Sequence, residues 1–459
     1  MTTLNLISPI DNSIYVTREG ASLEAAQGAI AAARGAQRAW ACAPLAERIA
    51  KVQGFVAALL VMKDEMVPEL ARQMGRPVRF GGEFGPMKER VDYMAGIAAP
   101  ALANIEIESS AAFKRFIARE PLGVVMVIAP WNYPYLTAIN TIVPALIAGN
   151  ALVLKHATQT LLVGERFQQA ADKSDLPRGL FRNLTLDHQV TEALLGAGAV
   201  DFVNFTGSVG GGKAIERAAA GTFTGIGLEL GGKDPAYVCD DADVTRAVET
   251  LVDGAMYNSG QCCCGIERIY VAEKHFDAFV EQAAALTNAY KLGNPLDPET
   301  SLGPMAQTRF ADLVRAQTQE ALHAGARALI DVKRFPADKA GTPYLAPQIL
   351  VDVDHSMRVM REESFGPVVG IMKVKNDEEA IALMNDSDYG LTASIWTKDV
   401  ARAEAIGAQI QTGTVFMNRC DYLDPALCWT GCKDTGRGGA LSVIGFHNLT
   451  RPKSYHLRT

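Results

Sequence analysis

The sequence lacks an excess of basic residues and any long apolar run. Its 459 residues include 44 Lys and Arg against 51 Asp and Glu, and the net charge is −7. The broad basic surface typical of nucleic-acid-binding domains is therefore not expected. The most apolar stretches, at 55–62 and 124–131, are far shorter than the ~20 residues that cross a bilayer, and residues 1–10 do not resemble a signal peptide. We therefore expect a cytoplasmic protein with no nucleic-acid partner and no membrane partner.

The sequence also lacks a recognisable metal motif. It contains eight cysteines, three of them in a row at 262–264. Cys420, Cys428 and Cys432 are spaced by eight and four residues, which matches no zinc pattern, and no paired C-x-x-C accompanies them. We predict free thiols in a reducing compartment and no bound metal.

Strands that alternate with helices dominate the pattern that is present. Apolar, often β-branched runs predict strands, and Ala- and Leu-rich segments with interspersed charges predict helices. The predicted strands lie at 123–129, 151–155, 201–206, 236–238, 268–271, 368–374, 392–397 and 414–417, and the predicted helices at 25–43, 47–74, 138–147, 160–171, 213–220, 243–257, 274–290 and 377–384. This alternation is typical of parallel sheets covered by helices, here as two α/β domains. Residues 112–119 and 452–459 alternate apolar and charged side chains, which predicts solvent-edge or interface strands outside both cores.

Three adjacent thiols form the first candidate site. They follow Gly260 and Gln261, where a predicted helix gives way to a strand. A nucleophilic cysteine needs partial exposure and a lowered pKa, because the thiolate is the form that attacks. Cysteine is also a common small buried residue, so the residues alone leave a reactive role and a packing role open.

A carboxylate between apolar residues forms the second candidate site. Glu229 lies in the segment LELGGK at 228–233. Burial raises the pKa of a carboxyl group, which suits a general base. A Glu at a strand end can also simply face solvent, so this role too is open.

Two turns that follow predicted strands complete the set. In PWNYP at 130–134, the Asn132 amide can donate to a developing oxyanion or serve the turn itself. In FTGS at 205–208, a glycine-rich turn between a strand and a helix can cradle a phosphate. The usual G-x-G-x-x-G fingerprint is not met in its usual place, so the second signal is weak by itself.

In identity, order and spacing, these segments resemble the aldehyde dehydrogenase superfamily. The matching motifs are PWNYP at 130–134, Lys155 after a strand, FTGS at 205–208, LELGGK at 228–233, GQCC at 260–263, ESFGPV at 363–368 and WTGCKDTGRG at 429–438. The resemblance covers nearly the whole chain from about residue 25. It implies an α/β fold with a Rossmann-like dinucleotide-binding domain at 1–102 and 122–230, an α/β catalytic domain at 231–433, and a small β oligomerisation element at 103–121 and 434–459. A homodimer or homotetramer is implied as well.

The resemblance further implies oxidation of an aldehyde to a carboxylic acid with NADP or NAD, through a thiohemiacetal and a thioester on cysteine. The family's G-Q-x-C pattern makes Cys263 the nucleophile. Glu229 resembles the general base, and Asn132 resembles the oxyanion donor beside the Cys263 backbone N–H. The residues that resemble coenzyme contacts are Trp131, Lys155, Thr158, Gly207, Ser208, Glu363 and Phe365. Those that would line the substrate tunnel by position are Tyr133, Thr137, Asn140, Tyr422, Leu423 and Trp429.

The sequence departs from the family pattern in three places. His156 follows Lys155 where Pro is usual, and we expect it to be a packed turn residue. Thr158 stands where NAD-preferring members often carry Glu, so we expect NADP to be accepted, at a level comparable to or better than NAD. Residues 428–431, CWTG, replace the usual Pro-Phe-Gly-Gly near the substrate mouth. The aromatic lining favours apolar or aryl aldehydes over small charged ones, and no Arg stands out for binding a substrate carboxylate.

Two alternatives to this dehydrogenase are open. One is a CoA-acylating aldehyde dehydrogenase, in which CoA takes the acyl group. Glu229 argues against it, because members that use CoA often lack this acid. The other is a catalytically silent structural or binding relative, against which the intact Cys263, Asn132 and Glu229 argue.

Overall fold

The computed structural model describes residues 2–420 and 422–458. Within them, the strands form a six-stranded, a seven-stranded and a three-stranded sheet and two two-stranded sheets. Helices pack against the two large sheets. The α/β class predicted from the sequence is confirmed.

The six-stranded sheet has the strand order of a doubly wound fold. Its strands lie in the order Gly436–Arg437, Gly225–Glu229, Phe202–Thr206, Val124–Ala129, Ala151–His156 and Phe181–Asn183. All neighbours are parallel except the pair formed by Gly436–Arg437 and Gly225–Glu229. The order reverses between Val124–Ala129 and Phe202–Thr206, and ligands bind at the carboxyl ends of strands beside such a switch point. The predicted turns at 130–134 and 205–208 lie at this edge.

The core of this part is built from strands that are buried along their whole length. Val124–Ala129 and Ala151–His156 have no exposed residue, which explains their nearly continuous apolar sequence. Trp40 is also buried, and its ring nitrogen donates to the Leu146 carbonyl at 2.8 Å. The surrounding helices are Leu23–Cys42, Leu45–Leu60, Lys63–Met74, Phe84–Ala101, Pro134–Ile147, Leu161–Lys173, His188–Gly196, Val209–Ala219 and Ser442–Asn448.

One predicted helix is two helices in the structure. The sequence predicted a single helix over 47–74, but Leu45–Leu60 ends and Lys63–Met74 begins after a break at Val61 and Met62. Val61 is exposed and Met62 is buried at this break. The turn therefore brings Met62 into the core, while the apolar periodicity continues on both sides and does not reveal the break.

The seven-stranded sheet begins after residue 233. Its strands lie in the order Arg327–Ala328, Gln348–Val351, Val368–Val374, Ile266–Ala272, Asp234–Val238, Thr392–Trp396 and Thr414–Met417. All neighbours are parallel except the pair that contains Arg327–Ala328. Its helices are Val244–Met256, Phe276–Thr287, Thr308–His323, Arg358–Arg361, Asp377–Asn385 and Val400–Gly407.

Three of the predicted motifs meet at one edge of this sheet. Segments 230–233, 260–265 and 363–367 each lead into the start of a strand, and these three strands are mutually parallel neighbours. Parallel strands begin at the same edge of a sheet, so the three segments lie side by side. Because 230–233 also leaves the carboxyl end of Gly225–Glu229, this edge adjoins the ligand-binding edge of the first sheet.

The three-stranded sheet lies outside both large sheets. It consists of Thr450–Arg458, Phe113–Pro121 and Ile105–Glu106, all antiparallel. Thr450–Arg458 pairs with Phe113–Pro121 over its full length, and the Phe116 ring stacks on the Tyr455 ring at 4.4 Å between centroids. Strands were predicted at 112–119 and 452–459, of which residue 459 lies outside the described residues.

Residues 434–449, which the sequence analysis placed in the oligomerisation element, do not join this sheet. Gly436–Arg437 pairs instead with Gly225–Glu229. The helix Ser442–Asn448 packs against Phe84–Ala101 and buries Phe446 in the core of the first sheet. Burial of this aromatic ring holds the segment against the core of the six-stranded sheet.

The remaining elements are short. Two hairpin-like sheets pair Thr3–Ile7 with Ile14–Glu19 and Tyr389–Gly390 with Cys432–Lys433. Single 3-10 turns occur at Val78–Phe80, Thr158–Thr160, Tyr257–Gly260, Glu273–His275 and Val332–Arg334. In the part of the chain that the structure describes, no helix is long and apolar enough to cross a membrane.

Candidate active site

The loop that leads to the three thiols has an unusual backbone. Asn258, Ser259 and Gly260 have φ angles of 54°, 58° and 69°. A Cβ at Gly260 would lie 2.2 Å from the Gly366 carbonyl oxygen, so only glycine fits there. Left-handed conformations of other residues cost energy and persist only where their surroundings hold them.

Hydrogen bonds supply that support. Gln261 is buried, its Nε2 donates to the Asn258 carbonyl at 3.1 Å, and its Oε1 accepts from the Ala306 N–H at 2.7 Å. The Ser259 hydroxyl donates to the Gly303 carbonyl at 2.7 Å. Gly260 and Gln261 therefore fix the backbone position of the three cysteines that follow them.

The turn at 130–134 is bonded to this loop. Asn132 Nδ2 donates to the Gln261 carbonyl at 3.2 Å, and Asn258 Nδ2 donates to the Asn132 carbonyl at 3.3 Å. Arg76, paired with Glu83 at 2.6 Å, donates to the same Asn132 carbonyl at 2.5 Å. An amide nitrogen carries two hydrogens, so one hydrogen of Asn132 Nδ2 is free of the bond to Gln261.

The three thiols form a compact cluster. Their sulfur atoms lie within 4.8 Å of one another, and those of Cys262 and Cys264 are 3.4 Å apart. Hydrogen bonds with Cys263 and Cys264 lower the pKa of Cys262 well below its usual value, and the bond with Cys262 raises the pKa of Cys263. The thiols thus titrate together, and the cluster loses its first proton readily. The thiol with the lowered pKa, Cys262, lies next to the cysteine that the motif selects.

The same cluster is the one group of three or more potential metal ligands among residues 2–420 and 422–458. Structural zinc sites take four ligands in a tetrahedron. No His or carboxylate among the described residues joins the three sulfurs. The donor set is incomplete for such a site, and the absence of a metal stays a prediction.

Gly231 and Gly232 allow the LELGGK segment to lie close to the ESFGPV segment and to the thiol loop. A Cβ at Gly231 would lie 2.3 Å from a Glu363 carboxylate oxygen, and a Cβ at Gly232 would lie 2.3 Å from the Cys263 carbonyl oxygen. The Gly232 N–H also donates to Glu363 at 2.9 Å. The LELGGK segment therefore needs both glycines, because the thiol loop and the ESFGPV segment approach its backbone closely.

Glu229 ends its strand at the wall of a cavity that the thiols also line. Burial raises the pKa of its carboxyl group to about 7, although the Arg90 charge and a long hydrogen bond from Thr206, at 3.5 Å, act in the opposite direction. A carboxyl group with this pKa exchanges its proton near neutral pH, as a general base must.

One carboxylate, that of Glu267, accepts backbone hydrogen bonds from the ESFGPV segment. Glu267 accepts from the Ser364 N–H at 2.8 Å and the Phe365 N–H at 2.9 Å, and it is paired with the buried Lys233. Burial, and next the Glu267 charge, raises the pKa of Glu363 to about 8. Phe365 has a φ of 49°, which the Glu267 bond stabilises.

Trp131 lies against two other rings. It stacks on Phe310 with 5.3 Å between centroids and meets Phe365 edge-on at 5.5 Å. The turn at 130–134 and the ESFGPV segment therefore share an apolar surface, on which a flat heterocycle could lie.

The strand Ala151–His156 ends in a buried cation. Lys155 is 6% exposed and makes no hydrogen bond or salt bridge within the described residues. Burial lowers its pKa, and the Asp187 charge opposes this. Thr158 follows in a 3-10 turn. His156 accepts at Nδ1 from the Ala157 N–H and donates from Nε2 to a carbonyl, and burial lowers its pKa to about 4, as expected of a packed turn residue.

Gly207 and Ser208 lie where the helix Val209–Ala219 begins. The Ser208 hydroxyl accepts from the Gly211 N–H at 3.1 Å and so caps the helix. Cβ atoms at Gly207 and Gly211 would each lie 2.6 Å from the Phe205 ring. The glycines therefore keep the first turn slender, and its N–H groups are positioned to bind an anion.

The cavity has a volume of about 350 Å³. The side chains of Cys263 and Glu229 both line it, whereas Asn132 does not. The six residues predicted to line the substrate tunnel all contribute to its wall, namely Tyr133, Thr137, Asn140, Tyr422, Leu423 and Trp429.

Arg90 is a cavity residue that the sequence analysis did not identify. It lies on the helix Phe84–Ala101, is 5% exposed and contributes to the cavity wall. The sequence analysis assigned no Arg to a substrate carboxylate, and Arg90 was not among the predicted lining residues. One signal was available, because Arg90 interrupts the buried stripe of Met87, Val91 and Met94, and a charge on such a stripe needs an explanation.

The sequence was compared with protein-family models and with known proteins. The chain matches the model of the aldehyde dehydrogenase family over residues 1–455. It is 33% identical to the succinate semialdehyde dehydrogenase [NAD(P)+] Sad of Escherichia coli, over 90% of this chain and 88% of that protein. It is 34% identical to a 4,4'-diapolycopene aldehyde oxidase of Methylomonas, over 99% of this chain and 86% of that protein.

Solved structures of aldehyde dehydrogenases have the same fold as this chain. The crystal structure of a succinic semialdehyde dehydrogenase from Streptococcus pyogenes with NADP+ superposes with a TM-score of 0.94 at 28% identity, over 99% of this chain and 100% of that one. The chain therefore belongs to the aldehyde dehydrogenase family. Its reaction is the NAD(P)-dependent oxidation of an aldehyde to a carboxylic acid.

Proposed function

We propose that Cys263 is the nucleophile and Glu229 the general base of this oxidation. The observation that carries the proposal is that both side chains line one cavity where the two large sheets adjoin. The thiol cluster loses a proton readily, and a thiolate is the attacking form.

The first step forms a bond between the Cys263 sulfur and the carbonyl carbon of the aldehyde. The carbonyl oxygen becomes an oxyanion, to which the free hydrogen of the Asn132 amide and the Cys263 backbone N–H donate. One such donor stabilises the transition state by ~3–4 kcal/mol. Bonds to Gln261 and Asn258 hold the Asn132 turn against the thiol loop, which supports this role.

A bound NAD or NADP would supply the acceptor for the hydride that leaves the former carbonyl carbon, and a thioester on Cys263 remains. The residues proposed to hold the coenzyme are Trp131, Lys155, Thr158, Gly207, Ser208, Glu363 and Phe365. Lys155 supports the fit, because a buried ammonium group without a protein partner calls for an oxygen acceptor such as a ribose hydroxyl.

The second step hydrolyses the thioester. Glu229 takes a proton from water as the water oxygen attacks the thioester carbon, and the Cys263 thiolate leaves. The carboxylic acid is released, and Glu229 returns its proton to solvent. A carboxyl group that is half ionised near pH 7 suits this task.

The coenzyme choice follows from Thr158. A carboxylate at this position would repel the extra phosphate of NADP, whereas a threonine hydroxyl can donate to it. With Lys155 nearby, we propose that NADP is accepted at least as well as NAD.

The three-stranded sheet is proposed to mediate assembly into a homodimer or homotetramer. Its strand Thr450–Arg458 is largely exposed in the single chain, and exposed strands are ready sites for pairing. All eight cysteines are free thiols, which fits a cytoplasmic location.

The test uses purified enzyme, a panel of aldehydes and both coenzymes, without CoA. We expect coenzyme reduction by the wild type and none by Cys263→Ala. Cys42→Ala is the matched control, since Cys42 is exposed and outside the cavity. Turnover that requires CoA would favour the acylating alternative, and full activity of Cys263→Ala would refute the nucleophile.

A further inference from the structure

Arg90 differs from the other deeply buried arginines in its partners. Among the described residues, Arg76, Arg90 and Arg268 are at most 5% exposed. Arg76 is neutralised by Glu83 at 2.6 Å. Arg268 donates to a set of backbone carbonyls and to Tyr270, away from the cavity.

Arg90 has neither arrangement. Its Nη1 donates to Asn140 Oδ1 at 2.8 Å and to the Leu136 carbonyl at 3.4 Å, and it makes no salt bridge within the described residues. A guanidinium group has five N–H donors. The donors on Nε and Nη2 therefore have no protein acceptor, although the side chain lines the aldehyde cavity.

The nearby carboxylates of the described residues do not accept hydrogen bonds from Nε and Nη2 of Arg90. Glu83 is already bonded to Arg76, and Glu89 accepts from the Tyr422 hydroxyl. Glu229 lies close enough for Arg90 to lower its pKa, but with a pKa of about 7 Glu229 carries only part of a negative charge at neutral pH. A buried cation without a full counter-charge is destabilising, and an anionic ligand would remove that cost.

We propose that the substrate is an aldehyde that carries a carboxylate at the other end of an apolar chain, and that Arg90 binds this carboxylate. The inference rests on the proposed function of the cavity. A planar guanidinium presents parallel N–H groups that match the two oxygens of a carboxylate. The cavity wall also includes Leu136, Leu228 and Leu230, which suits a hydrocarbon spacer.

The experiment compares pairs of straight-chain aldehydes of equal length, one ending in a carboxylate and the other in a primary amide. For the wild type we expect kcat/KM to favour the carboxylate by about 10- to 100-fold at the best length. Arg90→Gln should bring this ratio near unity, and Arg90→Lys should restore part of it. Because Arg90 also acts on Glu229, the ratio within a pair is the readout, since effects on the common chemistry cancel.

Lys88→Gln is the control for loss of a charge on the same helix, because Lys88 is exposed and pairs with Asp92. It should leave the ratio unchanged. A wild-type ratio at or below unity, or a ratio that Arg90→Gln leaves intact, would overturn the proposal.

Calorimetric binding of dicarboxylates and their monoamides to the wild type gives a test that needs neither a variant nor turnover. Tighter binding of the dicarboxylate supports the proposal, and equal or weaker binding contradicts it. If no aldehyde reduced either coenzyme, the proposed function would fail. Turnover without carboxylate preference would refute only the role of Arg90.

Discussion

Replacement of Glu229 by Gln separates the two halves of the reaction. The substitution keeps the shape of the side chain and removes the group that accepts the proton of water. Attack by Cys263 and the hydride step do not require this group. We therefore expect Glu229→Gln to form one equivalent of reduced coenzyme in a rapid burst and then to turn over slowly.

The size of the effect follows from the role and from the pKa. A general base contributes typically about 10²–10⁴-fold, so steady turnover should fall by that factor. The raised pKa, about 7, adds a pH signature. Thioester hydrolysis by the wild type should fall about tenfold per pH unit below this value, and Glu229→Gln should lose that dependence.

Stopped-flow absorbance of the reduced coenzyme measures both phases. A lost burst in Glu229→Gln would show that Glu229 also takes the proton of the thiol cluster. Normal steady turnover of the variant would refute the assignment of the base.

Stability gives an independent check of the same environment. The folded pKa lies above the reference value of 4.5, so the fold disfavours the ionised carboxyl group. This cost is absent below pH 4.5, grows up to about pH 7 and is constant above, where a shift to about 7 corresponds to roughly 3 kcal/mol. Glu229→Gln should therefore unfold at a higher temperature than the wild type near pH 8, with a smaller difference near pH 5.5. Equal differences at the two pH values would contradict the buried-carboxyl account.

Four further substitutions test neighbouring parts of the account. Cys262→Ala and Cys264→Ala should each retain most of the steady-state activity, and loss of activity comparable to that of Cys263→Ala would implicate another thiol. Thr158→Glu should raise the selectivity for NAD over NADP by about fivefold or more, measured as the ratio of kcat/KM values, and an unchanged ratio would place coenzyme choice elsewhere. Gly232→Ala puts a methyl group 2.3 Å from the Cys263 carbonyl oxygen, so kcat and the unfolding temperature should fall, at a cost of about 1–3 kcal/mol. Gly28→Ala is the control, because Gly28 is an exposed helical glycine with open space around it. This variant should keep the kcat and the unfolding temperature of the wild type.

Features set by local sequence were predictable. The strands Val368–Val374 and Thr414–Met417 lie where the apolar runs placed them. Buried parallel strands need continuous apolar residues, so their sequence is distinctive. The motifs at 228–233, 260–263 and 363–368 were also found in the sequence, because close backbone contacts and a left-handed turn restrict their residues.

Features set by distant packing were not predictable. The break at Val61 and Met62 depends on which residue the core accepts, and the placement of 434–449 depends on where Phe446 finds a partner surface. Arg90 reaches the cavity only because the helix Phe84–Ala101 packs beside Pro134–Ile147. No local pattern encodes that contact, although a charge on a buried stripe signalled an unexplained role.

The central claim is tested most directly by locating the acyl group. The thioester that accumulates in Glu229→Gln can be trapped by acid quenching after the burst, and proteolysis with mass spectrometry then identifies the modified cysteine. The account predicts one acyl group per active site, on Cys263. An acyl group on Cys262, whose pKa is lowered, or on Cys264 would contradict it.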